Sequence, residues 1–367
     1  MNSRGYPLFL LVLVVACRDE RVALCEPRLP DSPYRYSDAD APVPGHFLSS
    51  TAGIVAFSDN TPPENRITTA GATLGRVLFY DPRLSADDRV ACASCHRQAF
   101  GFGDTARFSR GVHGRQPTRR TMALANARFN ANGRFFWDER AASLEAQVIE
   151  VLQDTLEMGM ALPVLEGKLA ATSYYPALFA AAFGSPEVTQ ERVAAALAQF
   201  VRSLVSSRSR FDAVFATGTA PDPYRLTSRE REGMQLFTGV GCINCHRSVA
   251  QFADQASNTG LDSLPADPGA GGGRFKPPSL RNVAVRPPYM HDGRFASLRE
   301  VVEFYARRVS GGPDLDPRLR GADGMPRRLD LNGEQVDALV AFMEALTDSA
   351  FLNAEKHSDP FPCRRSS

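Results

Sequence analysis

Trp137 is the one tryptophan in a chain of 367 residues, and neither sign of charge dominates: 42 Lys and Arg face 41 Asp and Glu, for a net charge of +1. A chain so balanced presents no electrostatic case for nucleic acid or for an anionic membrane surface. Long hydrophobic runs are also missing, since the apolar stretch from Pro7 to Ala16 is too short to span a bilayer. Strand-like alternation of apolar and polar residues is absent, which leaves helix as the regular structure. With 43% hydrophobic and 23% charged residues, the composition excludes a disordered or fibrous chain. At roughly 100–200 residues per domain, the length suggests two domains.

What is present begins at the N-terminus. Arg4 followed by the apolar run reads as a secretory signal over residues 1–17, and Val14-Val15-Ala16-Cys17 resembles a bacterial lipoprotein signal, in which the cysteine becomes the lipidated first residue. Ordinary cleavage nearby is the other reading. Either way a periplasmic protein is expected, anchored to the inner or outer membrane if Cys17 carries lipid. Residues 18–65 form an irregular extension rich in Pro, Asp and Ser.

Beyond it the pattern is all-α with long loops. Val193, Leu197, Phe200, Val201 and Leu204 recur at helical spacing, as do Leu144, Val148, Val151 and Leu152 after Ser143. Thr227 with Glu230, Ser297 with Glu300 and Asn332 with Gln335 are capping-box pairs that open further helices. A faint repeat pairs Gly75-Arg-Val-Leu78-Phe79 with Gly233-Met-Gln-Leu236-Phe237, which predicts two similar domains, 66–222 and 223–367.

Seven cysteines carry the chemistry, and four of them form Cys92-Ala-Ser-Cys95-His96 and Cys242-Ile-Asn-Cys245-His246. Two thiols at this spacing add across the two vinyl groups of haem, and the adjoining imidazole reaches the iron, so the motifs predict two covalently bound c-type haems with His96 and His246 as proximal ligands. A zinc site or a thioredoxin-like pair would leave the following histidine unexplained. Of the other cysteines, Cys17 is the lipid candidate. Cys25 and Cys363 are then a disulfide or two unpaired thiols.

Four further segments, read with the haem motifs, give the chain a resemblance. They are Leu74 to Ser85, Phe136-Trp137-Asp138-Glu139-Arg140 through Gln147, Phe275-Lys276-Pro277-Pro278-Ser279-Leu280-Arg281-Asn282-Val283, and Pro288-Tyr289-Met290-His291-Asp292-Gly293-Arg294-Phe295. Together, from about residue 66 to 350, they resemble the bacterial di-haem cytochrome c peroxidase and MauG family. The resemblance implies two cytochrome c-like haem domains, with hydrogen peroxide reduced at the N-terminal haem by electrons relayed through the C-terminal one. It places Gln147 in the distal pocket, Glu157 as the acid–base carboxylate and Trp137 between the haems as a relay. Asp138 and Arg140 beside Trp137 fix the loop by ion pairing. The electron donor expected is a small redox protein, a cytochrome c or cupredoxin. The MauG-type alternative oxidises a protein substrate instead, and a non-enzymatic di-haem electron carrier is the reading from another class.

Two positions depart from the peroxidases proper. Fourteen residues after His291, where those enzymes offer methionine to the second haem, this chain has Tyr305, as MauG-type enzymes do. A packed core tyrosine is the bland alternative. His113 lies one residue out of register with the displaceable distal histidine of reductively activated peroxidases, and reads as a loop histidine. Relatives also hold a calcium ion between the domains, but the aligned asparagine is Arg120 here, which puts calcium in doubt.

Overall fold

The computed structural model describes residues 25–48, 55–215, 220–247, 250 and 255–363. The signal segment and Cys17 lie outside the described residues. Among those described the chain is helical, with isolated β-bridges in place of strands. No helix there is long and apolar enough to cross a membrane.

The main helices are α1 (Thr69–Tyr80), α2 (Leu144–Gln153), α3 (Leu162–Ala170), α4 (Tyr175–Phe183), α5 (Gln190–Ser203), α6 (Ser228–Gly239), α7 (Leu298–Glu303) and α8 (Gly333–Glu344). Their starts follow from side-chain chemistry. Ser143 accepts from the Ala146 amide at 3.1 Å to open α2, and at α6 Thr227 and Glu230 cap each other's amides at 3.3 and 2.9 Å. Asn332 and Gln335 do the same for α8. At α7 Ser297 caps Glu300, while the Glu300 carboxylate reaches the Ala296 amide instead.

Two helix crossings repeat one another. α1 meets α5 where a Cβ on Gly75 would collide with the Ala196 carbonyl oxygen and lie 2.8 Å from the Phe200 Cβ. α6 meets α8 in the same way, with Gly233 against the Ala338 carbonyl and 2.8 Å from the Phe342 Cβ. In each pair the missing side chain lets two backbones touch and seats a phenylalanine one turn further on. The faint sequence repeat is therefore a repeated packing solution.

Each crossing sits in its own apolar core. The first gathers α1, α3, α4 and α5 around Leu78, Phe79, Phe102 and Phe200, and the second gathers α6, α7 and α8 around Phe237, Phe342 and Leu346. The chain ends cross between them. Phe47 and Val55 from the extension enter the second core, whereas Phe351 and Phe361 from the C-terminal tail enter the first. The tail is held there by hydrogen bonds from Arg76 Nε to Ser358 at 2.8 Å and from the Tyr80 hydroxyl to His357 at 2.7 Å. A Cys25–Cys363 disulfide closes it, which settles the choice that spacing had left open.

Candidate functional site

Both cysteine motifs fold into short turns. Cys92–Cys95 is one helical turn and Cys242–Asn244 a tighter 3-10 turn. In both, the histidine amide donates to the first cysteine's carbonyl, at 2.9 Å for His96 and 3.0 Å for His246. The His96 Nδ1–H donates to the Phe102 carbonyl at 3.0 Å, which fixes the tautomer and leaves the Nε2 lone pair for a metal. Burial also pushes the His96 pKa down, so the ring stays neutral. The four motif cysteines are free thiols, and burial pushes Cys92 and Cys242 up to about 12 and Cys95 up to about 11. Zinc and low-pKa redox pairs use thiolates, and among the described residues no three His, Cys, Asp or Glu gather to hold an ion. Protonated, unpaired thiols beside an imidazole fit thioether attachment of haem.

A mainly apolar cavity opens over the second motif. Cys242, Cys245 and His246 line it together with Tyr305, Trp137, Leu298 and Val301. Tyr305 reaches it from a π-helical turn, Phe304–Arg308, that continues α7. Such widened turns recur at functional sites. Burial raises the Tyr305 pKa, with the Cys245 and Cys242 sulfurs acting in the same direction. The sequence placed Leu298, Val301 and Tyr305 on one helical face, and all three face the cavity.

Trp137 lies on a loop whose design recurs in the second half. Phe135 bridges Ala141, and Tyr289 bridges Phe295. Phe136 and Met290 both adopt positive φ, 65° and 73°. Asp138 pairs with Arg140 at 3.0 Å, and Asp292 with Arg294 at 2.7 Å. Each loop then ends on a capping serine, Ser143 or Ser297. By this register Trp137 corresponds to His291, and the two rings meet edge to face with centroids 6.4 Å apart. His291 stacks in turn on Phe275 at 3.6 Å. Neighbours in sequence serve different pockets, because Trp137 lines the second cavity while Phe136 lines the pocket of Glu157.

That pocket is formed by Phe136, Arg140, Glu150, Val151, Gln153, Asp154 and Glu157. The Glu157 backbone is pinned, its carbonyl accepting from the Val112 amide at 2.8 Å. Burial first, and Asp154 second, push the Glu157 carboxyl up to about 7, against the pull of Arg140. Glu157 also lies within electrostatic reach of the Cys92 and Cys95 thiols, which puts it at the first motif. Gln147 is half-buried on α2, next to Val148, which packs on the first core alongside Cys92. His113 is largely exposed and turns toward Asp87, at 3.9 Å, so it is a surface loop histidine.

Some residues of the site were not singled out from sequence. Arg119 ties Asp138 at 2.6 Å to Asp267 at 2.8 Å and so locks the Trp137 loop to the Gly-rich loop. Lys276 is buried, donates to the Arg134 carbonyl at 2.6 Å, and is pushed down to about 7 by burial. Its place in the Phe275 to Val283 segment was the available signal.

The family model for di-haem cytochrome c peroxidase matches residues 69–220. The chain is 35% identical over 299 residues to the methylamine utilization protein MauG of Methylorubrum extorquens, covering 78% of this chain and 80% of that one. It is 30% identical over 315 residues to the cytochrome c551 peroxidase of Nitrosomonas europaea, covering 82% and 87%. Among solved structures, a MauG-like protein associated with microbial copper homeostasis superposes with a TM-score of 0.72 at 31% identity, covering 82% of this chain and 96% of that one. The diheme peroxidase BthA from Burkholderia thailandensis gives 0.64 at 26% identity, covering 80% and 91%. With both cysteine motifs, the helical fold and these relatives together, the chain belongs to the di-haem cytochrome c peroxidase and MauG family. It is an oxidoreductase of a haem-dependent, peroxide-using family.

Proposed function

We propose that this enzyme reduces hydrogen peroxide at the pocket of Glu157, with electrons passed through the Trp137 junction from the second motif. In this reading residues 66–222 and 223–367 are the two haem domains, behind a signal over 1–17 and an extension over 18–65. Cys92, Cys95, Cys242 and Cys245 would hold two haems by thioether bonds, with His96 and His246 as the proximal iron ligands and Tyr305 as a further ligand for the second haem. Bound there, haem supplies the one-electron steps and the site where the O–O bond breaks.

The chain's own residues do the rest. Peroxide takes two electrons and two protons to give two waters, and one oxygen must lose a proton that the other gains. A carboxyl with a pKa of about 7 is suited to both transfers at neutral pH. Gln147 orients peroxide by hydrogen bonding, and Trp137, packed and anchored through Nε1, gives electrons a rigid path. The perturbed Glu157, in a pocket beside the first motif, is the observation that carries this reading. Glu157→Gln should lower peroxide turnover roughly 10²–10⁴-fold while leaving both haem spectra intact. Near-normal turnover would return Glu157 to a solvated charge at a helix end.

Tyr305 on the second cavity supports a second reading, in which the oxidising equivalents pass to a residue of a protein substrate rather than being quenched by a cytochrome c or cupredoxin donor. Rapid mixing of peroxide with the fully oxidised protein separates the two. A lasting spectral change without prior reduction supports protein oxidation, and a response only after half-reduction supports the peroxidase. High-spin ferric haem at rest argues against a mere electron carrier. Periplasmic placement, with Cys17 as lipid anchor, is part of the same proposal and is supported by the Cys25–Cys363 disulfide, a bond of oxidising compartments.

A further inference from the structure

The junction of the two halves turns on Arg120. Its side chain is 5% exposed, yet among the described residues it forms no ion pair. The neighbouring Asp104 carboxylate is engaged by Arg97 at 2.7 Å and by Ser109 at 2.5 Å. Arg120 Nη2 donates instead to three backbone carbonyls: Asp104 from the first half, and Arg286 at 2.8 Å and Pro287 at 3.1 Å from the second. Two hydrogens serve three oxygens, while Nε is buried without a hydrogen-bond partner among the described residues. A like charge nearby is Arg286, whose own Nη2 rests on the Ser279 carbonyl at 2.5 Å. Burial lowers both guanidinium groups to about 10, which leaves them charged at neutral pH.

The main chain of Arg120 is bonded as fully as its side chain. Its amide donates to the His291 carbonyl at 2.7 Å, and its carbonyl accepts from Trp137 Nε1 at 2.7 Å. One residue therefore holds both partners of the Trp137–His291 contact, the indole by its ring and the imidazole by its backbone.

Converging backbone carbonyls are the donor set of a hard cation such as calcium, which prefers oxygen ligands. Here a guanidinium already lies on those oxygens, and its charge repels a second cation, so the calcium that the resemblance implies between the domains does not fit at this cluster. We propose that Arg120 is the fold's own cation at this junction, standing in for a divalent ion and holding Trp137 and His291 in register. It is a positioning residue, acting through the carbonyls and through Trp137.

The test uses the haem-loaded protein and calcium alone as probe. In the wild type, a chelator should leave the thermal midpoint and the paramagnetic resonance of the second haem unchanged, and calorimetric titration with calcium should give no binding heat. Arg120→Lys keeps a charge with three donors for three carbonyls and should retain the wild-type midpoint and spectrum. Arg120→Gln, neutral and still polar, should lose both and regain them with calcium bound weakly, at roughly 10⁻⁴–10⁻³ M. A wild type that loses its midpoint to chelator and recovers it with calcium overturns the proposal. So do equal losses in the Lys and Gln variants, since packing rather than charge would then be at stake. Should Arg120→Gln not fold, the lysine variant decides alone: native behaviour supports the cation, and its loss refutes it.

Discussion

The two halves are built on one frame and finished differently. Each has a glycine-seated helix crossing, a Cys-x-x-Cys-His turn, and a bridged loop with a positive-φ residue, an Asp–Arg pair and a capping serine. The first half ends this frame with Glu157 in a pocket rich in charge, and the second with Tyr305 over a mainly apolar cavity. In the proposed function the repeated scaffold places two haems, and the few residues around each site assign different work. There the carboxyl poised near neutrality moves protons. The buried phenol beside the apolar cavity is, in the same proposal, a hard oxygen ligand for iron, which would favour the ferric state.

The largest effect should come from removing one attachment site. Cys92→Ala with Cys95→Ala should leave one haem on the denatured polypeptide where the native chain keeps two, because thioether bonds survive unfolding, and the matching change at Cys242 and Cys245 should do the same. Bound zinc and no haem would end the comparison altogether.

Next in size is the pH response of the first half. A base must be ionised to act, so peroxide turnover should rise through pH 7, following the raised Glu157 carboxyl, and this acid limb should vanish in Glu157→Gln. Stability moves the other way. The folded pKa lies above the unfolded value, so the fold carries no penalty below about pH 4.5, and the penalty grows as pH rises through 7. Glu157→Gln should therefore raise the thermal midpoint at pH 8 and leave it nearly unchanged at pH 4.

The shared frame is tested by paired substitutions. Gly75→Ala and Gly233→Ala each force a methyl against a facing carbonyl, and each should cost about 1–3 kcal/mol in denaturant unfolding. Tolerance at one site and damage at the other would break the equivalence of the crossings.

The smallest change in stability, and the sharpest in spectrum, is Tyr305→Phe. The ring is kept, so packing should lose less than about 1.5 kcal/mol. Loss of the oxygen should nonetheless alter the second haem's paramagnetic resonance, and Tyr305→Met should raise that haem's reduction potential. An unchanged resonance in the phenylalanine variant would leave Tyr305 as a core residue and remove the main contrast between the halves.

Local chemistry was readable along the chain. The two cysteine motifs, the caps at Ser143, Thr227, Ser297 and Asn332, and the apolar stripe of α5 depend on residues within a turn or two of each other, so spacing alone determined them. The resemblance of the Trp137 and His291 loops was also present in the letters, but its meaning depended on backbone φ values that spacing does not reveal. Other features were set only by distant segments meeting. The tail enters the first core, Cys25 finds Cys363, burial moves Glu157 to about 7, and Arg120 takes three carbonyls from two halves. Desolvation and cation placement depend on everything that surrounds a group, and the three carbonyls on the Arg120 side chain come from residues 16 to 167 positions away.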